Sequence, residues 1–67
     1  MLDISSIIKN RRTVLGISQE DLAEMSGVGI ATIKTIETGK ANPSLRTLES
    51  LAVILGLELS LKVRNTY

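Results

Sequence analysis

Apolar residues recur at helical spacing at the start of the chain. Five positions share one helical face and predict a helix from about Ile4 to Leu15; these positions are Ile4, Ile7, Ile8, Arg12 and Leu15. Asp3 precedes the segment as a favoured N-cap residue. Gly16 follows it, where helices often end on a glycine. The sequence therefore predicts a capped, amphipathic first helix.

A second, shorter helix is predicted between Ser18 and Gly27. Ser18 is its N-cap, and Asp21, three residues later, forms an acidic relative of the capping box. Leu22 and Ala23 face inward. Since Gly27 ends the helix, the next segment begins after only a tight turn.

The third helix is predicted from about Ile30 to Thr38, with Gly39 after it. Ile33 and Ile36, three residues apart, mark its buried side. The opposite side carries short side chains and one lysine. This helix therefore has one apolar face and one light, nearly acid-free face.

A loop over residues 40–43 separates the third helix from a fourth. Its Asn-Pro step disfavours helix before the proline. Ser44 then caps a helix from about Leu45 to Leu55, and Gly56 ends it. The inner face of this helix is predicted to consist of Leu45, Leu48, Leu51, Ala52 and Leu55.

The last segment changes from helical spacing to strict alternation. Apolar and polar residues alternate over residues 57–64, which predicts a half-buried β-strand. A fraying fifth helix is the alternative. No second strand is predicted, so the backbone needs the same strand of a second copy across a twofold axis, centred near Ser60. The predicted dimer interface consists of Leu57, Leu59, Ser60, Leu61 and Val63.

Composition limits the chemistry available to this chain of 67 residues. Its length allows one small domain, and it contains neither cysteine nor histidine. Disulfides, the common zinc sites and the usual nucleophile–base pairs are therefore excluded. We expect no cofactor, no metal and no enzymatic activity. A core this small favours stabilisation by oligomerisation.

Charge and hydropathy narrow the choice of partner. Net charge is only +1, but residues 26–47 carry Lys34, Lys40 and Arg46 against one acid, Glu37. The single aromatic residue, Tyr67, leaves no platform for stacking bases of single strands or RNA. No apolar run approaches the roughly 18–20 residues of a membrane span, and the start lacks a signal-peptide pattern. We expect a cytoplasmic protein.

The stretch QEDLAEMSGVGIATIKTIET, residues 19–38, resembles the helix-turn-helix of the phage-repressor-like (XRE-type) family. Ala23 is small enough for two helices to cross closely, and Gly27 lies where the turn often needs a positive φ. The resemblance covers roughly residues 4–56. It implies an all-α, lambda-repressor-like fold of four to five short helices, to which we add a C-terminal β-strand that pairs across a homodimer. The predicted divisions are a DNA-binding domain, 1–56, and a dimerisation strand with tail, 57–67.

The resemblance also implies which residues meet duplex DNA. In this family the second helix of the motif lies in the major groove. The implied base-facing residues are Gly29, Ile30, Ala31, Thr32, Lys34 and Thr35. The implied phosphate contacts are Ser18, Gln19, Thr38, Lys40, Asn42 and Ser44. Free amides at the start of the second helix suit a phosphate as well.

Two further features follow from the resemblance. An Arg–Glu pair recurs in such domains, and Arg12 and Glu37 match it, so we predict a buried structural ion pair. The segment Leu57–Leu61 is similar to the tail of HipB-type antitoxins, in which short strands pair between subunits. That likeness implies an autoregulating repressor that also binds a HipA-like toxin kinase.

The resulting hypothesis is a homodimeric repressor that recognises a palindromic operator in double-stranded DNA. One alternative is an antitoxin whose main partner is a toxin kinase. Another is a protein-interaction module without DNA binding. We expect neither a membrane association nor a small-molecule substrate.

Overall fold

Four helices make up residues 3–61, the part of the chain that this computed structural model describes. The helices are α1 (Ile4–Leu15), α2 (Gln19–Ser26), α3 (Ile30–Glu37) and α4 (Leu45–Leu55). The predicted bounds of α1 and α4 are confirmed, and α3 ends one residue early because Thr38 is its C-cap. None of these helices is long and apolar enough to cross a membrane.

The predicted capping residues define the helix ends. The carboxylate of Asp3 accepts the amide of Ser6 at 3.2 Å at the start of α1. At the start of α2, the hydroxyl of Ser18 accepts the amide of Asp21 at 2.9 Å, and the Asp21 carboxylate accepts the amide of Ser18 at 3.1 Å. This completes the predicted capping box.

The core lies where all four helices meet. One buried cluster joins six side chains, namely Ile8, Leu22, Ile33, Ile36, Leu51 and Leu55. Helices α1 and α2 each pack against both α3 and α4. Every one of the six was predicted to face inward, so the helical spacing of apolar residues located the core.

Three apolar residues predicted on inner faces are more exposed than expected. Leu45 is 70% exposed, and Ile7 and Leu15 are partly exposed. Leu45 is the first residue of α4, and side chains on a helix tilt toward its N-terminus. It therefore extends beyond the packed surface, and the prediction that it lines the inner face of α4 is wrong.

The predicted C-terminal strand is absent from the described residues. Leu57 is half-buried and donates its amide to the Ala52 carbonyl at 2.9 Å, while residues 58–61 are exposed without helix or strand. A strand needs a hydrogen-bonding partner strand, and residues 3–61 of one chain provide none. Val63 lies outside the described residues. The similarity to antitoxin tails depended on this strand and gains no support.

Candidate nucleic-acid interface

A tight turn over residues 27–29 joins α2 to α3. Gly27 ends α2 with φ of 77°, which favours glycine, and donates its amide to the Ala23 carbonyl at 3.0 Å. The hydroxyl of Ser26 accepts the amide of Val28 at 3.1 Å. Since Leu22 and Ile33 are fully buried, α3 is held against α2 in a defined orientation.

The outer side of α3 collects the six residues predicted to face bases. This reading face comprises Gly29, Ile30, Ala31, Thr32, Lys34 and Thr35. All are exposed except Ile30, which is half-buried. No acidic side chain belongs to it, and only Lys34 is long. Its shape and charge are therefore compatible with close approach to a polyanion.

Two positions on the reading face have properties that the sequence did not reveal. The Thr35 hydroxyl donates to the Ala31 carbonyl at 2.8 Å, so its hydrogen is used within the helix. Gly29 is the N-cap of α3 and makes no side-chain cap. Its φ of −59° suits any residue, and an added Cβ would meet only Thr32 Oγ1, at 3.9 Å. The backbone therefore does not require glycine there.

The predicted phosphate-contacting residues lie at helix ends and in the loop after α3. Five are exposed, and Gln19 is half-buried. Several of their hydroxyls already have structural partners: Ser44 accepts the Thr47 amide at 3.1 Å, and Thr38 donates to the Thr35 carbonyl at 2.7 Å. Lys40 and Asn42 are exposed in the loop and have no side-chain hydrogen bond within residues 3–61.

The start of α2 is less open to an anion than predicted. Its capping box uses the amides of Ser18 and Asp21 and adds the carboxylate of Asp21 beside Glu20 in the first turn. Only the amides of Gln19 and Glu20 remain, because a helix leaves its first amides without intrahelical acceptors. This correction restricts the anion-binding amides there to two.

Arg12 and Glu37 form an ion pair between α1 and α3. Arg12 Nε lies 2.8 Å from Glu37 Oε2, and Arg12 Nη2 lies 3.0 Å from Glu37 Oε1. The Glu37 side chain is only 4% exposed. Burial raises its pKa, but hydrogen bonds from Arg12 and Gln19, together with the positive charges of Arg12 and Lys9, hold the pKa below its ordinary value. The pKa of Arg12 is raised by the hydrogen bond that Arg12 donates to Glu37.

This ion pair changes the surface charge around the reading face. Glu37 is the one acid in residues 26–47, and its charge is balanced internally by Arg12. Lys34, Lys40 and Arg46 are exposed. Residues 26–47 therefore expose three positive side chains, and their one acid is already paired, although the net charge of the whole chain is only +1.

Comparison with known proteins finds helix-turn-helix proteins. A family model described as "Helix-turn-helix" matches residues 8–62. The chain is 45% identical over 65 residues to a protein named as an HTH-type transcriptional regulator in Haemophilus influenzae, covering 92% of this chain. It is 44% identical over 45 residues, 67% of this chain, to the HTH-type transcriptional regulator PuuR of Escherichia coli.

A solved structure has the same fold. The crystal structure of the restriction-modification controller protein C.AhdI from Aeromonas hydrophila superposes with a TM-score of 0.79 at 34% sequence identity. The match covers 84% of this chain and 85% of that one. The chain spans 65% of the length of the Haemophilus influenzae protein and 24% of PuuR.

Proposed function

Because this chain belongs to the helix-turn-helix family, we propose that it binds duplex DNA with α3 in the major groove and so regulates transcription. The observation that carries the proposal is the reading face. Its six residues lie at the N-cap and on the outer part of α3, are free of acids and are short apart from Lys34, while Ile33 and Ile36 are buried in the core. In helix-turn-helix proteins the second helix of the motif enters the groove with its N-terminal residues at base edges.

Within the groove, we assign Lys34 to a guanine, since its ammonium is the strong donor of the reading face. Ala31 and the exposed part of Ile30 contact thymine methyl groups. Thr35 offers a methyl group and an accepting oxygen, because its hydrogen is donated to Ala31. The reading face has no Gln, Asn or Arg, so those side chains provide no two-hydrogen-bond readout of adenine or guanine. DNA shape supplies part of the specificity.

The phosphate contacts are assigned around this helix. Lys40 and Asn42 approach one strand from the loop after α3. Ser18 approaches the backbone through its hydroxyl hydrogen, since Asp21 accepts its amide. Gln19 and Ser44 approach it through their amides. Thr38, whose amide and hydroxyl donate to the carbonyls of Lys34 and Thr35, turns its hydroxyl from Thr35 to a phosphate. Such contacts fix the register of the protein on the duplex without reading sequence.

We further assign the protein as a homodimeric repressor on a palindromic operator. An apolar groove of about 540 Å³ runs between α1, α4 and residues 57–61. Leu45, Leu59 and Leu61 border it, and Leu61 is 94% exposed. A second copy that covers these leucines removes that apolar surface from water, and the segments near Ser60 become strands only when the two copies pair. A dimer bound over a promoter blocks transcription.

Selection of binding sites from random duplexes tests the DNA-binding proposal. We expect an enriched palindrome with half-sites about 10 base pairs apart, centre to centre. Ala31→Glu places a carboxylate on the reading face and should abolish enrichment. Val53→Glu changes an exposed side chain of α4 and should not. Failure of the unaltered protein to bind any duplex at low salt would contradict the proposal.

Sedimentation of the full chain and of a chain lacking residues 57–67 tests the dimer. The full chain should sediment as a dimer, and the shortened chain as a less stable monomer that binds DNA poorly. If the shortened chain still dimerises with the same dissociation constant, the interface lies on another surface. A promoter–reporter fusion then distinguishes repression from activation.

A further inference from the structure

Glu37 accepts hydrogen bonds from two different helices. Besides the two from Arg12, its Oε1 accepts one from Nε2 of Gln19 at 3.1 Å. Arg12 also donates from Nη1 to the Ile17 carbonyl at 3.0 Å, just before α2. One buried carboxylate thus connects the first residue of α2 to the last residue of α3.

This contact fixes the orientation of the Gln19 side chain. An ionised carboxylate only accepts hydrogen bonds, so the NH₂ group of the amide must be the end that faces Glu37. One of its two hydrogens is used by Glu37, and the second remains for another acceptor. A glutamine held this way has already lost rotamer freedom that a free surface glutamine would lose on binding.

We propose that Glu37 is a positioning residue for contact with the DNA backbone: it holds Gln19 so that the second N–H of its amide meets a phosphate oxygen at the start of α2. The inference rests on the proposed DNA binding. Glu37 itself is buried and does not touch DNA. The backbone amide of Gln19, in the first turn of α2, is directed at the same phosphate.

Arg12 makes this arrangement compatible with a phosphate. An unpaired carboxylate beside the start of α2 would repel the phosphate, and Asp21 and Glu20 are already nearby. Two hydrogen bonds from Arg12 neutralise Glu37. The pair therefore orients Gln19 without adding net negative charge at the DNA surface.

Electrostatics alone predicts the opposite effect of removing Glu37. Losing one negative charge should strengthen binding to a polyanion wherever the charge lies. Positioning instead requires Glu37→Gln to weaken binding. Glu24→Gln is the matched control, since Glu24 is exposed on α2 and makes no side-chain hydrogen bond within residues 3–61. It should leave binding unchanged or strengthen it.

The experiment is a double-mutant cycle on the full chain. Fluorescence anisotropy measures the dissociation constant for a random-sequence duplex of about 20 base pairs at low salt, because phosphate contacts are independent of sequence. The variants are Gln19→Ala, Glu37→Asp and the double variant. Glu37→Asp retains the negative charge, but its shorter side chain withdraws the acceptor from Gln19. It replaces Glu37→Gln as the test if Glu37→Gln does not fold.

We expect Gln19→Ala to weaken binding about tenfold in the unaltered chain and less than twofold in the Glu37→Asp background. The side-chain NH₂ signal of Gln19 in ¹H–¹⁵N spectra should shift in Glu37→Asp without DNA. Equal losses in both backgrounds, or no loss from Gln19→Ala while the unaltered chain binds, overturn the inference alone. Absence of any binding by the unaltered chain overturns the proposed function with it.

Discussion

Arg11 donates its Nε hydrogen to the Leu55 carbonyl at 2.7 Å and thereby links α1 to the end of α4. The last carbonyls of a helix lack intrahelical partners and carry partial negative charge, so a guanidinium there stabilises the end. Leu55 is fully buried in the core. The contact therefore fixes where the chain leaves α4 and enters residues 57–61.

Replacing Arg11 should destabilise the domain. Arg11→Met keeps much of the aliphatic stem but leaves the Leu55 carbonyl without its charged donor. We expect a loss of about 1–2 kcal/mol in the free energy of unfolding, measured by urea denaturation. Lys9→Met on the exposed side of α1 is the control and should stay within about 0.5 kcal/mol. Equal losses in both variants would show that the contact with Leu55 contributes nothing.

Stability should decrease in acid because of Glu37. Its pKa in the folded protein lies below the ordinary value of 4.5, so the unfolded chain binds a proton more readily. The stabilisation is therefore complete above about pH 4.5 and is lost as the pH falls through the folded pKa. Free energies of unfolding measured against pH should show this decrease.

Other acids also contribute to acid sensitivity. The pKa of Asp3, for example, is lowered by hydrogen bonds from Ser6 and Ser5. The variant Glu37→Gln isolates the contribution of Glu37. The variant leaves the half-buried Arg12 without its carboxylate, which should cost about 1–3 kcal/mol near neutral pH. The difference between the two proteins should shrink in acid. An unchanged melting temperature for Glu37→Gln would be evidence against a stabilising pair.

Lys34 and Lys40 should respond differently to removal. Lys34→Ala should cost about 1–3 kcal/mol on the preferred site and relax preference at one base pair. Lys40→Ala should weaken binding to all duplexes alike and flatten the salt dependence by about one unit of slope. Titrations on matched and mismatched duplexes at several salt concentrations separate the two. A uniform loss for Lys34→Ala would reassign it to phosphate.

Gly29 should accept a side chain without loss of stability. Its φ of −59° and the open space around its Cβ position allow asparagine, which is also a favoured N-cap. Gly29→Asn should therefore keep or raise the melting temperature while it changes the sequence selected from random duplexes. Gly27→Val is the contrasting variant, because φ of 77° there makes a β-branched side chain costly. An unchanged selected sequence would remove position 29 from the reading face.

The helices were predictable because their signals are local. Asp3 and Ser44, each paired with a glycine after the last turn, gave the bounds of α1 and α4. The spacing of apolar residues identifies a face but not how far the packed surface extends, which explains the error at Leu45. The alternation over residues 57–64 indicates which side chains would lie on the same side of an extended segment. It contains no information about a partner strand.

The candidate site was predictable where a motif fixes positions. The reading face follows from the match of residues 19–38 to a known pattern. The hydrogen bond between Gln19 and Glu37 spans 18 residues of sequence and depends on how α2 and α3 cross. No periodicity or cap encodes such a contact. The absence of a cap at Gly29 likewise emerges only once its φ and surroundings are known.

Helix α3 separates folding from recognition within eight residues. Ile33 and Ile36 are buried, whereas Ala31, Thr32 and Lys34 are exposed. Substitutions of these exposed residues change the chemistry presented to DNA at little cost to the core. A duplicated gene of this kind can therefore acquire a new target sequence in a few steps while its product remains folded throughout. The division of one short helix into two independent faces makes the domain evolvable.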